Sequence, residues 1–254
     1  MLVIKMFLKK IKINNYTLIL CFLALITGLF KEIVVVFILI LVHEFGHFIT
    51  MKKYKWNVKQ IDIYPFGGIT KLDDKIDKPL KEELIITLMG PIFQEILFLI
   101  IYLLYKRYLI SDYLFNLFKD YNYTILIFNL LPIVPLDGYK ILNVFINKIF
   151  NFRYSYVIGI VLSIITFILF MYMYKIDSSY YVILAFLIFQ IIYAFKVKNI
   201  IYNRFILEKR LYKNEYTKLK KINNVKKMYR NKRHIIKDKH SYKTEQLYFN
   251  IKKN

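Results

Sequence analysis

The chain is built of long apolar runs separated by short polar stretches and followed by a polar tail. Six apolar segments stand out, at residues 16–30, 33–50, 84–105, 123–142, 154–174 and 180–197. A helix that crosses the bilayer core needs about 20 mostly apolar residues, and these segments reach or approach that length. The pattern predicts an all-α polytopic membrane protein with six transmembrane helices, the first two joined by a tight turn.

Composition and charge set the predicted orientation. Hydrophobic residues make up 57% of the chain, and the formal net charge is +22. In the six-helix arrangement fourteen Lys and Arg residues lie on one side of the membrane and five on the other, before the tail is counted. Because basic residues accumulate in cytoplasmic loops, both termini are predicted to be cytoplasmic. Cys21 is the single cysteine, which excludes an internal disulfide and a cysteine metal site.

Composition also divides the chain into two parts. Residues 1–197 are predicted to form the six-helix membrane core, and residues 198–254 a basic cytoplasmic tail with eighteen Lys or Arg against four acids. We expect the tail to attract anionic lipid, with an acidic substrate or partner as the alternative. Nucleic acid is not expected, because no recognition fold is visible. His234 and His240 in the tail are expected to be solvated and not to bind metal.

The second apolar segment carries a metal-binding pattern, H-E-x-x-H. His43 and His47 are four residues apart, so they share one face of a helix and both imidazoles can bind one Zn²⁺. Glu44 lies beside them as the candidate general base. Ionisable residues inside a membrane helix are costly by a few kcal/mol, so they mark function by default. The motif predicts one zinc ion per chain.

A catalytic zinc needs a third protein ligand and an open position for water. Residues 129–138 read Asn-Leu-Leu-Pro-Ile-Val-Pro-Leu-Asp-Gly, which places Asp137 at a helix interrupted by two prolines. Such breaks occur in membranes where protein or a wet cavity satisfies the freed backbone. Asp137 is therefore the predicted third ligand. Glu95 is the weaker candidate: we expect it to hydrogen-bond within the bundle, and lining a water path is the alternative.

These residues resemble a known family. H-E-x-x-H in one membrane helix and N-x-x-P-x-x-P-L-D-G in a later one are the signature of the site-2 proteases, which are intramembrane zinc metalloproteases. The order of motifs and the absence of an insert long enough for a PDZ domain resemble the stage IV sporulation protein FB type. The resemblance implies His43, His47 and Asp137 as zinc ligands and Glu44 as general base.

The resemblance also implies a biological setting. Members of this subgroup remove the pro-sequence of a late sporulation sigma factor in the mother-cell membrane around the forespore, and membrane partner proteins inhibit them until a signal arrives. Relatives often end in a nucleotide-sensing CBS domain, but the tail is too short for a complete one. Nucleotide regulation is therefore not expected to follow the relatives' pattern.

Around this centre we expect supporting or substrate-binding residues. Residues 60–71 alternate β-formers and contain two adjacent glycines, which predicts a small membrane-associated β-hairpin with its turn at the glycines. An unwound substrate can pair with such an edge; an ordinary interfacial loop is the alternative. Asn129 is expected to orient substrate or the developing oxyanion, or else to bond between helices. The supporting set is Asn129, Pro132, Pro135, Gly67 and Gly68.

Two other functions compete with a sigma-factor protease. The first is a site-2 protease for a different membrane-associated substrate, such as an anti-sigma factor. The second is a metal-binding membrane transporter, which predicts inverted repeats or paired broken helices in both halves. Broken helices are present, but no repeat is apparent in the sequence.

Overall fold

The fold is mostly helical with two small sheets, and a computed structural model describes residues 2–64, 67–173, 181–212, 216–238 and 241–251. The helices of these residues are α1 (Leu2–Leu8), α2 (Asn15–Ile26), α3 (Phe30–Lys53), α4 (Leu80–Lys106), α5 (Asp112–Leu130), α6 (Asp137–Ile149), α7 (Phe152–Met173), α8 (Tyr181–Leu211) and α9 (Glu245–Ile251). The strands are β1 (Ile11–Ile13), β2 (Val58–Tyr64), β3 (Gly67–Leu72), β4 (Leu219–Ile222), β5 (Arg233–Asp238) and β6 (Ser241–Thr244).

Four of the helices in these residues, α3, α4, α7 and α8, are long and apolar enough to cross a membrane. The protein is an integral membrane protein, as predicted. The six-span count is not confirmed. The first predicted segment corresponds to the shorter helix α2. The predicted fourth segment, residues 123–142, is not one helix: α5 begins at Asp112 and ends at Leu130, and α6 begins at Asp137.

The break between α5 and α6 has a local cause. Proline lacks a backbone N–H and clashes with the preceding turn, so Pro132 and Pro135 exclude a continuous helix. The Val134–Pro135 peptide bond is cis. The hydroxyl of Ser163 on α7 accepts a hydrogen bond from the Val134 N–H at 3.3 Å and lies 3.3 Å from the Pro132 carbonyl oxygen. The protein thus satisfies the backbone groups that the break releases.

The described residues divide into two compact units. The first contains those within 1–74 and 85–131, and the second contains those within 75–84 and 132–254. The first unit holds a three-stranded sheet of order β1-β2-β3, parallel between β1 and β2 and antiparallel between β2 and β3. Ile61 and Ile63 of its central strand are completely buried and pack into the same core as Leu39 of α3.

The hairpin predicted within residues 60–71 is present, but its glycines are not at the turn. Gly67 and Gly68 begin β3 and pair with Tyr64 and Ile63 of β2. The connection, residues 65–66, lies outside the described residues. The alternation of β-formers identified the strands correctly. A Gly-Gly pair is also typical of a turn, which is why the turn was predicted at these glycines. Here Gly68 is instead required by a close contact with Glu44.

The second unit includes the chain that follows α8. Residues 198–212 mostly continue α8, and a second sheet of order β4-β5-β6 follows, parallel and then antiparallel. Met228 and Ile236 are buried in its core with Phe205 of α8. His234 was expected to be solvated and is 2% exposed: it pairs with Glu245 through Nδ1 and accepts the Tyr229 N–H at Nε2, 2.9 Å away. His240 lies outside the described residues.

Candidate metal centre

The three residues of the motif lie on the buried face of α3. His43, Glu44 and His47 are each 3% exposed, and their ligand atoms all lie within 4.8 Å of one another. Glycines allow helix α4 to approach this face closely. A Cβ at Gly46 would lie 2.3 Å from the Met89 carbonyl oxygen, and one at Gly90 would lie 2.3 Å from His47 Nε2. A larger residue at position 46 would push the two helices apart, and one at position 90 would displace the His47 ring or the helix.

Hydrogen bonds at Nδ1 fix the orientation of the two imidazoles. His47 Nδ1 lies 2.8 Å from the Ile86 carbonyl oxygen, which can only accept, so Nδ1 carries the proton. His43 Nδ1 lies 2.9 Å from Gln94 Oε1, an acceptor as well. In its neutral form each ring is therefore the Nδ1–H tautomer, with its lone pair on Nε2.

The two Nε2 atoms face each other 3.1 Å apart. Neither carries a proton in the neutral tautomers, so the contact brings together two lone pairs and a cation between them relieves the repulsion. Two imidazole nitrogens with a carboxylate beside them form a donor set that suits zinc. The outward hydrogen bonds of both rings are the usual supporting contacts of metal-binding histidines. The residues present thus fit a zinc ion.

Glu44 faces the edge of the first sheet. The Gly68 N–H donates to Glu44 Oε1 at 3.1 Å, and the Thr70 hydroxyl lies 3.4 Å from Oε2. The Gly68 N–H points away from β2, because Ile63, its partner in register, directs its own carbonyl to the Asn14 N–H on the opposite side. A Cβ at Gly68 would lie 2.3 Å from Glu44 Cδ, so this contact requires glycine.

Asn129 and Gly67 lie near the same strand end. Asn129 is buried near the end of α5, and a Cβ at Gly67 would lie 3.7 Å from Asn129 Oδ1. Gly67 has a φ of 153°, a backbone conformation that favours glycine. The structure therefore brings together four of the predicted residues in the first unit, namely His43, Glu44, His47 and Gly68. Gly67 and Asn129 lie next to this cluster.

The remaining predicted residues, Pro132, Pro135 and Asp137, belong to the second unit. Asp137 is the first residue of α6 and is 3% exposed. A carboxylate in the first turn of a helix is stabilised by the helix dipole. Lys140 Nζ, one turn later, lies 2.8 Å from Asp137 Oδ1 and balances its charge. Pro132 and Pro135 form the break that precedes it.

Comparison with known proteins agrees with the motif. The sequence profile of peptidase family M50 matches residues 31–110. Stage IV sporulation protein FB of Bacillus subtilis is 30% identical over 209 residues, which cover 81% of this chain and 73% of that protein. A zinc metalloprotease of Methanocaldococcus jannaschii is 29% identical over 125 residues, 48% of this chain and 36% of its own length.

The chain belongs to peptidase family M50.

The M50 peptidase is therefore a zinc metalloprotease of the site-2 type, and the transporter alternative is not supported. The fold agrees: the solved structure of a site-2 protease from Methanocaldococcus jannaschii superposes with a TM-score of 0.51 at 23% identity, covering 81% of this chain and 94% of that one. Zinc as the cofactor follows from the family and from the cluster of His43, Glu44 and His47.

Several residues around the centre of the peptidase were not predicted from its sequence. Gln94 and the Ile86 carbonyl hold the imidazoles, and Thr70 lies against Glu44. One signal was present: a polar Gln94 within an apolar membrane helix is costly unless it has partners. Glu95 accepts a hydrogen bond from Asn122 Nδ2 at 2.8 Å, which is a contact of the kind expected within the bundle.

Proposed function

We propose that this protease uses His43, His47 and Asp137 to hold one zinc ion and Glu44 as its general base. The observation that carries the proposal is the pair of Nδ1–H imidazoles on α3 whose Nε2 atoms converge at 3.1 Å beside a buried carboxylate. Asp137 is supported by its burial at a helix break and by the position of its motif after the first one.

The chemistry is hydrolysis of a peptide bond. Zinc, when bound, acts as a Lewis acid that activates water and polarises the scissile carbonyl. Glu44 accepts the proton of the attacking water and then passes it to the leaving amine. Its carboxylate oxygens have two lone pairs each, so the hydrogen bond from Gly68 leaves capacity for that proton. Asn129 orients the substrate carbonyl or stabilises the developing oxyanion.

The substrate is presented as an extended strand. A helix hides its amides, so a transmembrane substrate must unwind before cleavage. At the edge of β3 the Gly68 N–H points to Glu44. Thr70 is two residues further along the strand, so its N–H points to the same side, away from β2. A peptide that pairs with this edge places its backbone next to the general base.

The proposed substrate class is supported by one of the relatives. The similarity to a sporulation protein over 81% of the chain supports a pro-sequence-bearing sporulation sigma factor as substrate, with inhibitory membrane proteins as partners. The corresponding location is the mother-cell membrane around the forespore, with both termini cytoplasmic. A different membrane-associated substrate, such as an anti-sigma factor, is the alternative that the experiment below separates.

The basic chain after residue 198 contributes attraction to anionic lipid. Lys218 and Lys220 lie close to Lys232, and burial together with these two positive neighbours lowers the pKa of Lys232. Like charges held together in this way gain from an anionic surface.

The test is co-expression with the sigma-factor precursor of the same genome, comparing wild type with Glu44→Gln and His43→Ala. Wild type should shorten the precursor. Glu44→Gln should bind zinc and cleave nothing, because the amide keeps the volume but cannot accept the proton. His43→Ala should lose both zinc and cleavage. Cleavage by Glu44→Gln would refute the assignment of the general base. If the wild type leaves this precursor intact but cleaves an anti-sigma factor, the sigma-factor substrate is refuted in favour of the alternative.

A further inference from the structure

A chain of hydrogen-bonded side chains leads from His43 into the interior of the first unit. Gln94 Oε1 lies 2.9 Å from His43 Nδ1. Gln94 Nε2 donates to two oxygens of Asn122, the side-chain Oδ1 at 2.9 Å and the backbone carbonyl at 3.0 Å. Asn122 Nδ2 donates in turn to Glu95 Oε1 at 2.8 Å. Gln94 and Asn122 are both completely buried.

Each amide in this chain has one favourable direction. The Asn122 backbone carbonyl can only accept, so the Gln94 amide must turn its NH₂ towards it and its oxygen towards His43. The Glu95 carboxylate accepts from the Asn122 NH₂, which leaves Asn122 Oδ1 for Gln94. Reversing either amide would place oxygen against oxygen in a buried site, at about 1–3 kcal/mol for each unsatisfied group.

The direction of the chain determines the proton on His43. An acceptor at Nδ1 requires the Nδ1–H tautomer, and in that tautomer the lone pair is on Nε2, which faces His47. Without the acceptor the ring would distribute its proton between the two nitrogens, and the Nε2–H form cannot bind a metal through Nε2. The amides therefore select the tautomer before any ion arrives.

We propose that Gln94 and Asn122 are positioning residues of the metal centre: they lock His43 in the zinc-binding tautomer and ring orientation, with Glu95 anchoring the far end of the chain. The proposal rests on the proposed function in taking His43 as a ligand. Gln94 and Glu95 are adjacent in sequence but have different roles in the network: Gln94 contacts His43, and Glu95 contacts Asn122.

The two histidines differ in how they are held. His47 donates to a backbone carbonyl, that of Ile86, which no side-chain substitution removes. His43 depends on a side chain. Substitution at Gln94 should therefore affect one ligand and leave the other, which predicts weakened zinc binding and not complete loss.

The experiment measures zinc affinity of the purified full chain by competition with a chelating dye, using Gln94→Met, which keeps length and removes the amide. The control is Asn147→Leu: Asn147 is also a buried amide, but it bonds within its own helix to Asn143. Gln94→Met should weaken zinc binding about 10- to 100-fold, and Asn147→Leu should not change it. Gln94→Glu, which keeps the acceptor for His43, should lose less than Gln94→Met. Wild-type affinity in Gln94→Met would overturn the proposal.

A second measurement is independent of variant folding. The chain contains four histidines, so ¹⁵N ring signals of the zinc-free wild-type protein can be assigned individually. The network predicts an Nδ1–H tautomer for His43, and an Nε2–H tautomer would overturn the proposal without any substitution. His43→Ala separates this inference from the proposed function: if it binds zinc like wild type, the ligand assignment fails, whereas loss in His43→Ala with none in Gln94→Met refutes the network alone.

Discussion

Gly90 of α4 lies directly against the imidazole of His47, such that a Cβ at position 90 would lie 2.3 Å from both Cε1 and Nε2 of the ring. Gly90→Ala must displace the imidazole or the helix, and a displaced Nε2 no longer faces His43. We expect zinc affinity to fall at least about tenfold, with cleavage lost in parallel. Leu88→Ala on an exposed position of the same helix is the control and should bind zinc normally. Unchanged affinity in Gly90→Ala would mean that the helices can separate freely here.

Gly68 makes the corresponding contact with the general base. A Cβ at position 68 would lie 2.3 Å from Glu44 Cδ and 2.6 Å from its Oε1, while the histidines are not among its nearest atoms. Gly68→Ala should therefore reduce cleavage about 100-fold or more, in the range seen when a catalytic proton-transfer group is displaced, and leave zinc affinity within twofold or so of wild type. The measurement is the same pair of assays used for Gly90→Ala, and equal loss of zinc in both variants would contradict the separate roles.

Strand pairing at the β3 edge makes a prediction at Thr70. Thr70→Pro removes the outward N–H without removing a hydrogen bond to β2, and proline is tolerated at such edge positions. Thr70→Val keeps the N–H and removes the hydroxyl that lies 3.4 Å from Glu44. If substrate adds to this edge, the proline variant should lose at least about tenfold in kcat/KM, and the valine variant should lose less. Equal rates for proline, valine and wild type would refute strand addition.

Local patterns were sufficient to predict the motif helix and the hairpin, and insufficient for the rest of the site. The spacing of His43 and His47 and the alternation in β2 depend only on helix and strand geometry. The hydrogen bond between Gln94 and Asn122 joins residues of two helices that are 28 positions apart in sequence, and no periodicity of the sequence determines which helix faces which.

The two prolines between α5 and α6 were visible in the sequence, but the apolar residues on both sides of them led to the prediction of one membrane segment, residues 123–142. Residues 112–122 include Asp112, Lys119 and Asp120 and lie outside the predicted apolar segments, yet they are helical. The sheet of β4 to β6 was also missed, because its strands are rich in lysine and only two of their apolar residues, Ile222 and Ile236, are completely or nearly buried.

The second unit contains a buried ion pair whose loss should be measurable. Lys209 Nζ lies 2.5 Å from Asp77 Oδ2 and donates to the Lys232 carbonyl, and the Lys209 side chain is 2% exposed. Lys209→Met leaves the Asp77 carboxylate buried without its cation, which costs about 3–5 kcal/mol. We expect a clearly lower thermal midpoint for this unit in purified protein. The control is Arg204→Met, since the Arg204–Glu208 pair is exposed on the Arg side and should contribute less than about 1 kcal/mol.

Asp62 on β2 predicts an acid-dependent loss of stability in the first unit. Burial by itself raises the pKa of Asp62. Hydrogen bonds from Lys71 and Gln60 and the charges of Lys71 and Lys12 lower the pKa by more than burial raises it, so the pKa in the folded protein is below the usual value. The Lys71 Nζ–Asp62 Oδ2 distance is 2.6 Å, and the Lys71 side chain is 57% exposed, which screens the pair.

Because the folded-state pKa is the lower one, the ionised carboxylate stabilises the fold above the unfolded pKa of about 3.9. This contribution should disappear as the pH falls from about 4 through the folded-state pKa. Asp62→Asn removes the titration, so wild type should be more stable than this variant at pH 7 and converge with it in acid. Thermal midpoints of both proteins from pH 7 to pH 3 test this. A constant difference across that range would show that Asp62 acts through its shape and hydrogen bonds, and not through its charge.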